Sequence, residues 1–392
     1  MSNDFIEQLS EQLHSREKKN LFRRRLALET PQGSHVSIAG HEYLAFCSND
    51  YLGLANDPRL IEAVCEGAQQ YGVGAGASHL ISGHSSAHHV LEEALASFTG
   101  LPRALLFSTG YMANVGAVTA LMGHGDAIFC DKLNHASLND AALLSRAKFS
   151  RYTRGPDLDL AGLERQLAAS RATRKLILTD AVFSMDGDIA PVAGLLRLCE
   201  KYDAWLMLDD AHGFGVLGPQ GRGVLAHFDI RSPRIIYMAT LGKAAGVSGA
   251  FIGAQPEIIE TLIQQAKSYI YTTAAPPLLS HTLLKSLELI EKEEWRRERL
   301  MQLAAALKHE LQSLRWRLLP SVSPIQPLVI GENGQAVEIS EALRDKGILV
   351  PAIRPPTVPG GTARLRISLS ASHTMEDVAR LGEALKELDR NG

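Results

Sequence analysis

Between about residues 100 and 255, short apolar runs alternate with helical patterns, and this alternation restricts the chain to few folds. The runs 104–107, 127–130, 176–179, 205–208, 235–239 and 250–253 carry apolar residues on both faces, as strands covered by helices on each side require. Such an alternation predicts an α/β domain with a mostly parallel central sheet. Ligands of these sheets gather at the carboxyl ends of the strands, so chemistry is sought in the residues just past each run.

The run 204–208 leads into Asp209-Asp210-Ala211-His212-Gly213, which sets a carboxylate and an imidazole at a strand end. The run 235–239 leads into Thr240-Leu241-Gly242-Lys243-Ala244-Ala245-Gly246, a lysine among small residues where an ammonium can meet a flat cofactor. Each motif alone is weak. A lysine near a glycine is usually solvated, and Asp-Asp after a strand is more often a helix cap or a magnesium ligand. Together they suggest pyridoxal 5'-phosphate, which needs a lysine for its Schiff base and an anion to keep its pyridine nitrogen protonated. Other strand ends add to the set. Ser108-Thr109-Gly110-Tyr111 opens a helix whose N–H groups suit a phosphate, with an ordinary helix cap as the plainer reading. His135, after Asp131-Lys132-Leu133-Asn134, can stack on a heterocycle, although a loop histidine is more often only surface; Ser184 follows a further strand.

At 392 residues the chain exceeds the size at which one core stops growing, so two domains are expected. The expected division is an N-terminal helix and arm over 1–45, a large domain over 46–285 and a small α+β domain over 286–392. Phe5, Ile6, Leu9 and Leu13 predict an amphipathic helix over 4–19, packed on the body of the protein or on a partner subunit. A long charged helix is expected over 286–314. Beyond it, strands are expected near 326–331, 347–351 and 363–369, and helices near 335–346 and 374–388, the last opened by the capping-box spacing of Thr374 and Asp377.

A net charge of −3 and the lack of a nucleic-acid module signature argue against nucleic-acid binding. Cys47, Cys65, Cys130 and Cys199 lack C-x-x-C spacing and read as reduced packing residues of a cytosolic protein. Asp4, Glu7 and Glu11 stand where a signal peptide needs apolar residues, and no run approaches the ~20 apolar residues that span a bilayer. A cytoplasmic protein without membrane association is expected.

Two motifs are decoys. Gly213-Phe214-Gly215-Val216-Leu217-Gly218 matches G-x-G-x-x-G, but it does not open a helix directly after its strand, and Pro219, Gly221 and Gly223 follow. An irregular loop is expected. His84, His88 and Glu92 have a spacing that would suit zinc on one helix face; without the rest of a metalloprotease signature they read as the exposed start of a helix over 86–99, and no metal is expected. The basic cluster Lys18, Lys19, Arg23, Arg24 and Arg25 reads equally as a solvated helix end and as a site for a carboxylate or coenzyme phosphates.

The runs Ser48-Asn49-Asp50-Tyr51-Leu52-Gly53-Leu54, Asn134-His135-Ala136-Ser137, Val182-Phe183-Ser184-Met185-Asp186-Gly187-Asp188, Asp209-Asp210-Ala211-His212-Gly213 and Thr240-Leu241-Gly242-Lys243 resemble the α-oxoamine synthases. These are fold-type I pyridoxal-phosphate transferases, and the resemblance covers nearly the whole chain. Ala352-Ile353-Arg354-Pro355-Pro356-Thr357-Val358-Pro359, followed by Thr362-Ala363-Arg364-Leu365-Arg366, is most similar to members that condense L-alanine with a pimeloyl thioester in biotin biosynthesis. The resemblance implies that Lys243 carries the cofactor, Asp209 binds its pyridine nitrogen, His212 its ring hydroxyl, and His135 stacks on the ring. It assigns Ser184 and Thr240 to the cofactor's oxygens, Gly110 and Tyr111 to the phosphate surroundings, and Thr272 to a neighbouring subunit's phosphate. Arg354 would clamp the amino-acid carboxylate, Thr357 and Asn49 would add substrate contacts, and Arg23 would lie near the acyl substrate, pimeloyl-CoA or pimeloyl-ACP. A homodimer is implied. Ala77-Ser78-His79-Leu80 departs from the glycine-rich turn of many relatives. Relatives using glycine or serine share nearly all the cofactor residues, and a structural subunit without cofactor is a further alternative that Lys243 weighs against.

Overall fold

The computed structural model describes residues 4–155 and 158–391. Two compact units emerge: residues 50–184 with 188–298, and residues up to 49 with 185–187 and 299 onward.

The first unit is built on a seven-stranded sheet in the order Arg103–Phe107, Ala250–Ala254, Ile235–Thr240, Trp205–Asp209, Lys175–Asp180, Ala127–Asp131, Lys148–Tyr152. Ala250–Ala254 runs antiparallel to both its neighbours, and the other pairings are parallel. All six apolar runs are strands. The seventh, Lys148–Tyr152, escaped the periodicity because it is a polar edge strand with Lys148 and Arg151 exposed, a composition that discourages further pairing. Register decides where chemistry can gather. Asp180 lies opposite Asp209, and Asp209 opposite Met238 two residues before Thr240, so these ends share one edge of the sheet.

Helix Gly110–Leu121 covers this sheet with small residues that let it approach closely. A Cβ on Gly116 would stand 2.4 Å from Ser268 Oγ and 3.1 Å from Phe107 Cε1, so a larger residue would have to push the Ser268 hydroxyl aside. The core it helps close includes Ala117 and the larger Leu105, Ile128, Leu178, Met207 and Ile252, each of these five worth about 1.5–3 kcal/mol when a side chain of this size leaves water.

The expected helix over 286–314 is two helices, Pro277–Lys292 and Glu294–Leu311, broken at Glu293. Glu293 leaves helical geometry, and its carboxylate accepts from Arg59 and Arg296. Arg296 also donates to Asp57 and to the Leu52 carbonyl, pinning the segment that follows Asp50.

In the second unit, strands Arg317–Leu318, Ile325–Gly331, Ala363–Ser368 and Ala352–Ile353 form an antiparallel sheet in that order. Ile348–Leu349 instead joins the hairpin His35–Ile38 and His41–Ala45. Helices Asn333–Asp345 and Met375–Asn391 complete it, and the capping box is present: Asp377 N donates to Thr374 Oγ1 at 3.1 Å and Thr374 N to Asp377 Oδ2 at 2.8 Å. The N-terminal helix Asp4–Lys18 forms but buries none of its residues, with Phe5 68% and Leu13 52% exposed. Its apolar stripe therefore does not pack on the body of this chain.

The glycine-rich run is a loop, as its glycines and Pro219 dictate. Gly215 and Gly218 have φ of 80° and 73°. Its centre is Asp210, fully buried, whose Oδ2 accepts from Val224 N and from the Tyr237 hydroxyl, each at 2.7 Å. A Cβ on Gly213 would lie 2.0 Å from Asp210 Oδ1, and one on Gly223 2.4 Å from Oδ2. Burial pushes the Asp210 carboxyl up to about 7. The unfolded carboxyl ionises near 3.9, so between about pH 4 and 7 the unfolded chain has released a proton that the folded one keeps, and stability falls as pH rises, by up to about 1.4 kcal/mol per unit. Asp210→Asn should remove that slope. Denaturant unfolding at pH 5 and pH 7 checks it: the variant must gain on the parent chain at the higher pH.

Candidate active site

Lys243 stands in the turn after strand Ile235–Thr240. Gly246 lets this turn lie flat on the segment after Asp50, since a Cβ there would be 2.7 Å from Ala55 N. The Lys243 amine lies 2.8 Å from His212 Nε2, and His212 Nδ1 lies 2.6 Å from the Tyr51 hydroxyl. His212 and Tyr51 are buried. The three form a continuous chain of hydrogen bonds ending at an amine, which fixes the imidazole orientation and aims the lysine.

Asp209 is 3% exposed. Its Oδ1 accepts from Ala211 N at 3.0 Å and its Oδ2 from Asn114 Nδ2 at 2.8 Å, so neutral amides hold it in place. Asn114, fully buried, also donates to Ser137 Oγ at 2.9 Å. His135 caps the helix Ala136–Leu144: its Nδ1 lies 2.8 Å from Ser137 Oγ, and its backbone N–H donates to Asp180 Oδ2 at 2.7 Å. Desolvation lowers the His135 pKa; Asp209 opposes this and Lys243 reinforces it, so the imidazole feels both charges. Burial and the neighbouring Asp209 drive Asp180 the other way, well above the usual carboxylate range.

At the head of helix Gly110–Leu121, Thr109 caps Met112 N at 3.2 Å, and the open side of Gly110 faces Met238 and Thr240 at 3.7–3.9 Å. Thr240 Oγ1 donates to the Gly249 carbonyl at 3.1 Å. Tyr111 turns outward and bonds Asp140. Ser184 lies just past strand Lys175–Asp180, while Thr272 follows helix Lys267–Ile270. One unit thus carries an amine, a buried carboxylate, an imidazole and a helix N-terminus at the strand ends. That donor set suits pyridoxal phosphate: Lys243 for the aldehyde, Asp209 for the pyridine nitrogen, and the Gly110 end for the phosphate.

In the other unit, Arg23 Nη2 donates to Thr357 Oγ1 at 3.4 Å, and Arg354 bonds the Asn20 carbonyl. Arg23, Arg354 and Thr357, with Leu21, Ile353 and Pro355, line a cavity of about 60 Å³. Burial and then Arg23 lower the Arg354 pKa, so two guanidinium groups share this corner. Asn49 is elsewhere, accepting from Arg366 Nη2 at 3.2 Å. Arg366 is itself buried and also donates to Ser368 Oγ at 2.7 Å.

His88 is not the exposed helix start its spacing suggested. It is fully buried because it completes a capping box on helix Ser86–Thr99: Ser85 N donates to its Nδ1 at 3.0 Å, and its Nε2 lies 2.8 Å from the Ala275 carbonyl. His79 Nδ1 lies 3.1 Å from His84 Nδ1. The three rings are close enough to share an ion, yet both His88 nitrogens are already engaged. Glu92 accepts from Leu106 N instead.

Tyr51, Asn114, Asp180 and Arg366 had no assigned role from the sequence. Asn114 was the findable one, one helical turn past Gly110 on the same face. Tyr51 and Asp180 owe their places to contacts across 161 and 45 positions, with His212 and His135, which no local pattern encodes.

The family model of aminotransferase class I and II matches residues 41–385. A protein of Nitrosospira multiformis named 8-amino-7-oxononanoate synthase is 73% identical over 98% of this chain and 96% of its own length. The chain belongs to the 8-amino-7-oxononanoate synthase family. A member from Nitrosomonas europaea is 66% identical over 97% of this chain and 98% of its own. Among solved structures, serine palmitoyltransferase from S. paucimobilis, with a bound PLP–myriocin aldimine, superposes with a TM-score of 0.92 at 28% identity, over 100% of this chain and 99% of that one. The Francisella tularensis 8-amino-7-oxononanoate synthase gives 0.76 at 31% identity, over 89% and 98%. The family is thus fold-type I, and pyridoxal phosphate is its cofactor.

Replacing Tyr51 by Phe should leave the fold intact while removing one of the hydrogen bonds that orient His212. Loss of one buried hydrogen bond should cost about 0.5–1.5 kcal/mol of stability, and the loosened imidazole should lower turnover up to roughly tenfold, more than a variant of equal stability loss away from the site. Steady-state kinetics beside thermal unfolding checks this.

Proposed function

We propose that this chain joins L-alanine to a pimeloyl thioester, giving 8-amino-7-oxononanoate, carbon dioxide and the free thiol for biotin biosynthesis. The observation that carries the reading is an amine aimed by a buried His–Tyr pair beside a buried carboxylate, in a chain 73% identical to a named synthase of this type. Pyridoxal phosphate, when bound, supplies the electron sink that stabilises negative charge on the amino-acid α-carbon.

The residues divide the remaining work. The Lys243 amine would hold the cofactor's aldehyde and would take the α-proton as general base, with His212 holding its direction. Asp209 would set its carboxylate against the pyridine nitrogen, a pairing that would favour the protonated ring. His135 gives a flat face for stacking, His212 a contact for the ring hydroxyl, and Ser184 and Thr240 hydroxyls for the cofactor's oxygens. Gly110 and Tyr111 lend backbone N–H groups near the phosphate. Arg354 takes the amino-acid carboxylate, which a planar guanidinium can bind through two hydrogen bonds, with Thr357 and Asn49 as further substrate contacts. Arg23 serves the acyl substrate. The balance closes: the α-carbon bonds to the thioester carbonyl as the C–S bond breaks, the alanine carboxylate leaves as carbon dioxide, and a proton returns to the α-carbon.

The acyl group arrives on coenzyme A or acyl carrier protein. A homodimer is part of this reading, with Thr272 serving the neighbour's phosphate; the exposed apolar residues of the N-terminal helix support it. A cytoplasmic setting suits the four free cysteines. No described helix is long and apolar enough to cross a membrane.

Mass analysis of products from pimeloyl-CoA with alanine, glycine or serine tests the function. Alanine should be strongly preferred, and in a parallel assay with palmitoyl-CoA a preference for serine would move the chain toward the palmitoyltransferase chemistry. Lys243→Ala should fold and not turn over. Arg354→Ala should weaken alanine binding by about 1.5–3 kcal/mol, whereas Arg23→Ala should raise the thioester KM alone. Identical behaviour of the two arginine variants would refute the division.

A further inference from the structure

Arg154 has no place in the chemistry described so far, yet it is among the most enclosed cations of the chain. It follows the edge strand Lys148–Tyr152, and its side chain is 8% exposed. Nε lies 2.9 Å from Asp131 Oδ2, with its N–H pointing off the line to that oxygen, and Nη1 bonds Asp188 Oδ2. The guanidinium carbon sits 3.8 Å from the centroid of the Phe183 ring. Burial works against this cation, but Asp131 and Asp188 outweigh it.

Phe183 and Asp188 are not arbitrary partners. They face each other at the neck of the turn that carries Ser184: Val182 bridges Ile189 in antiparallel fashion, and Phe183 N donates to the Asp188 carbonyl at 3.0 Å. One guanidinium therefore grips both sides of the neck, by its face on a ring and by an edge on a carboxylate. Its third partner, Asp131, ends another strand and starts the turn to His135. There Asp131 Oδ1 accepts from Leu133 N at 2.9 Å, and Asn134 Nδ2 donates to the Leu178 carbonyl at 2.8 Å.

We propose that Arg154 is a positioning residue, which holds the Ser184 turn in register with the His135 turn by binding Asp131, Asp188 and Phe183 together. Lysine cannot replace it. An ammonium has donors but no planar face to lie on the Phe183 ring and no separated nitrogens to reach Asp131 and Asp188 from one fixed position. The consequence for the cofactor rests on the reading that Ser184 and His135 contact it; the consequence for the turn does not.

The test uses full-length Arg154→Lys and Arg154→Gln, each cofactor-free and cofactor-loaded. Hydrogen exchange should accelerate across 182–189 while amides of strand 235–240 keep the parent's protection. Titration of the cofactor-free protein with pyridoxal phosphate should show about tenfold weaker binding, the scale of one lost charge-assisted contact. Unchanged protection at 182–189 in a folded variant overturns the proposal, and so does a uniform loss over the whole sheet, which would make Arg154 a stabilising residue only. If Arg154→Gln does not fold, Arg154→Gln with Asp131→Asn, which removes the buried charge together with its partner, gives the same comparison. Ser184→Ala separates the two readings: faster exchange in the Arg154 variants, with cofactor affinity unmoved by them and by Ser184→Ala, retires the Ser184 assignment and leaves the positioning role standing.

Discussion

A carboxylate cannot be taken out of water at the end of an enclosed strand unless its lone pairs are met, and the site is organised around doing so for Asp209. An ionised group desolvated without partners would cost several kcal/mol or take up a proton. Asn114 and the Ala211 amide meet Asp209, Asn114 is shared with Ser137, and Ser137 in turn meets His135. Asp180, on the adjacent strand, is driven toward its neutral form by burial and by Asp209, and accepts the His135 amide. Seating this one carboxylate at the edge thus ties together a helix, a histidine turn and a neighbouring strand.

The lysine side is held by different means. Lys243 is aimed by His212, which is held by Tyr51, and the Tyr51 segment is tied down by Arg296 on the Leu52 carbonyl. The turn bearing Lys243 reaches that segment because Gly246 has no Cβ to strike Ala55. The glycine loop after His212 wraps Asp210, whose carboxyl leaves no room for a side chain at Gly213 or Gly223. Glycines that imitate a dinucleotide fingerprint here serve close packing around a buried acid.

Most of the large sheet was legible because its strands are apolar on both faces, a pattern that only burial between helices explains. The strand Lys148–Tyr152 was not legible, since an edge strand half in water has no such pattern. The break at Glu293 was also silent, because the residue is a good helix former and the pull on it comes from Arg59, more than two hundred positions away in sequence. Thr374 and Asp377 were legible for the opposite reason: a capping box is closed within four residues and needs nothing else.

The sequence by itself determined the chemical inventory at the strand ends: Lys243, Asp209, His212, His135 and a helix N-terminus at Gly110, each announced by a local motif following an apolar run. Tertiary structure alone decided the couplings, that Tyr51 meets His212, that Asn114 and Ser137 connect Asp209 with His135, and that Arg154 joins the necks of two turns. It also decided that His88 is a buried cap rather than an exposed residue at a helix start. The reason is physical. Strand periodicity and caps are satisfied by neighbours in sequence, whereas a buried polar atom takes whichever partner the packing brings within 3 Å, and that partner can lie anywhere in the chain.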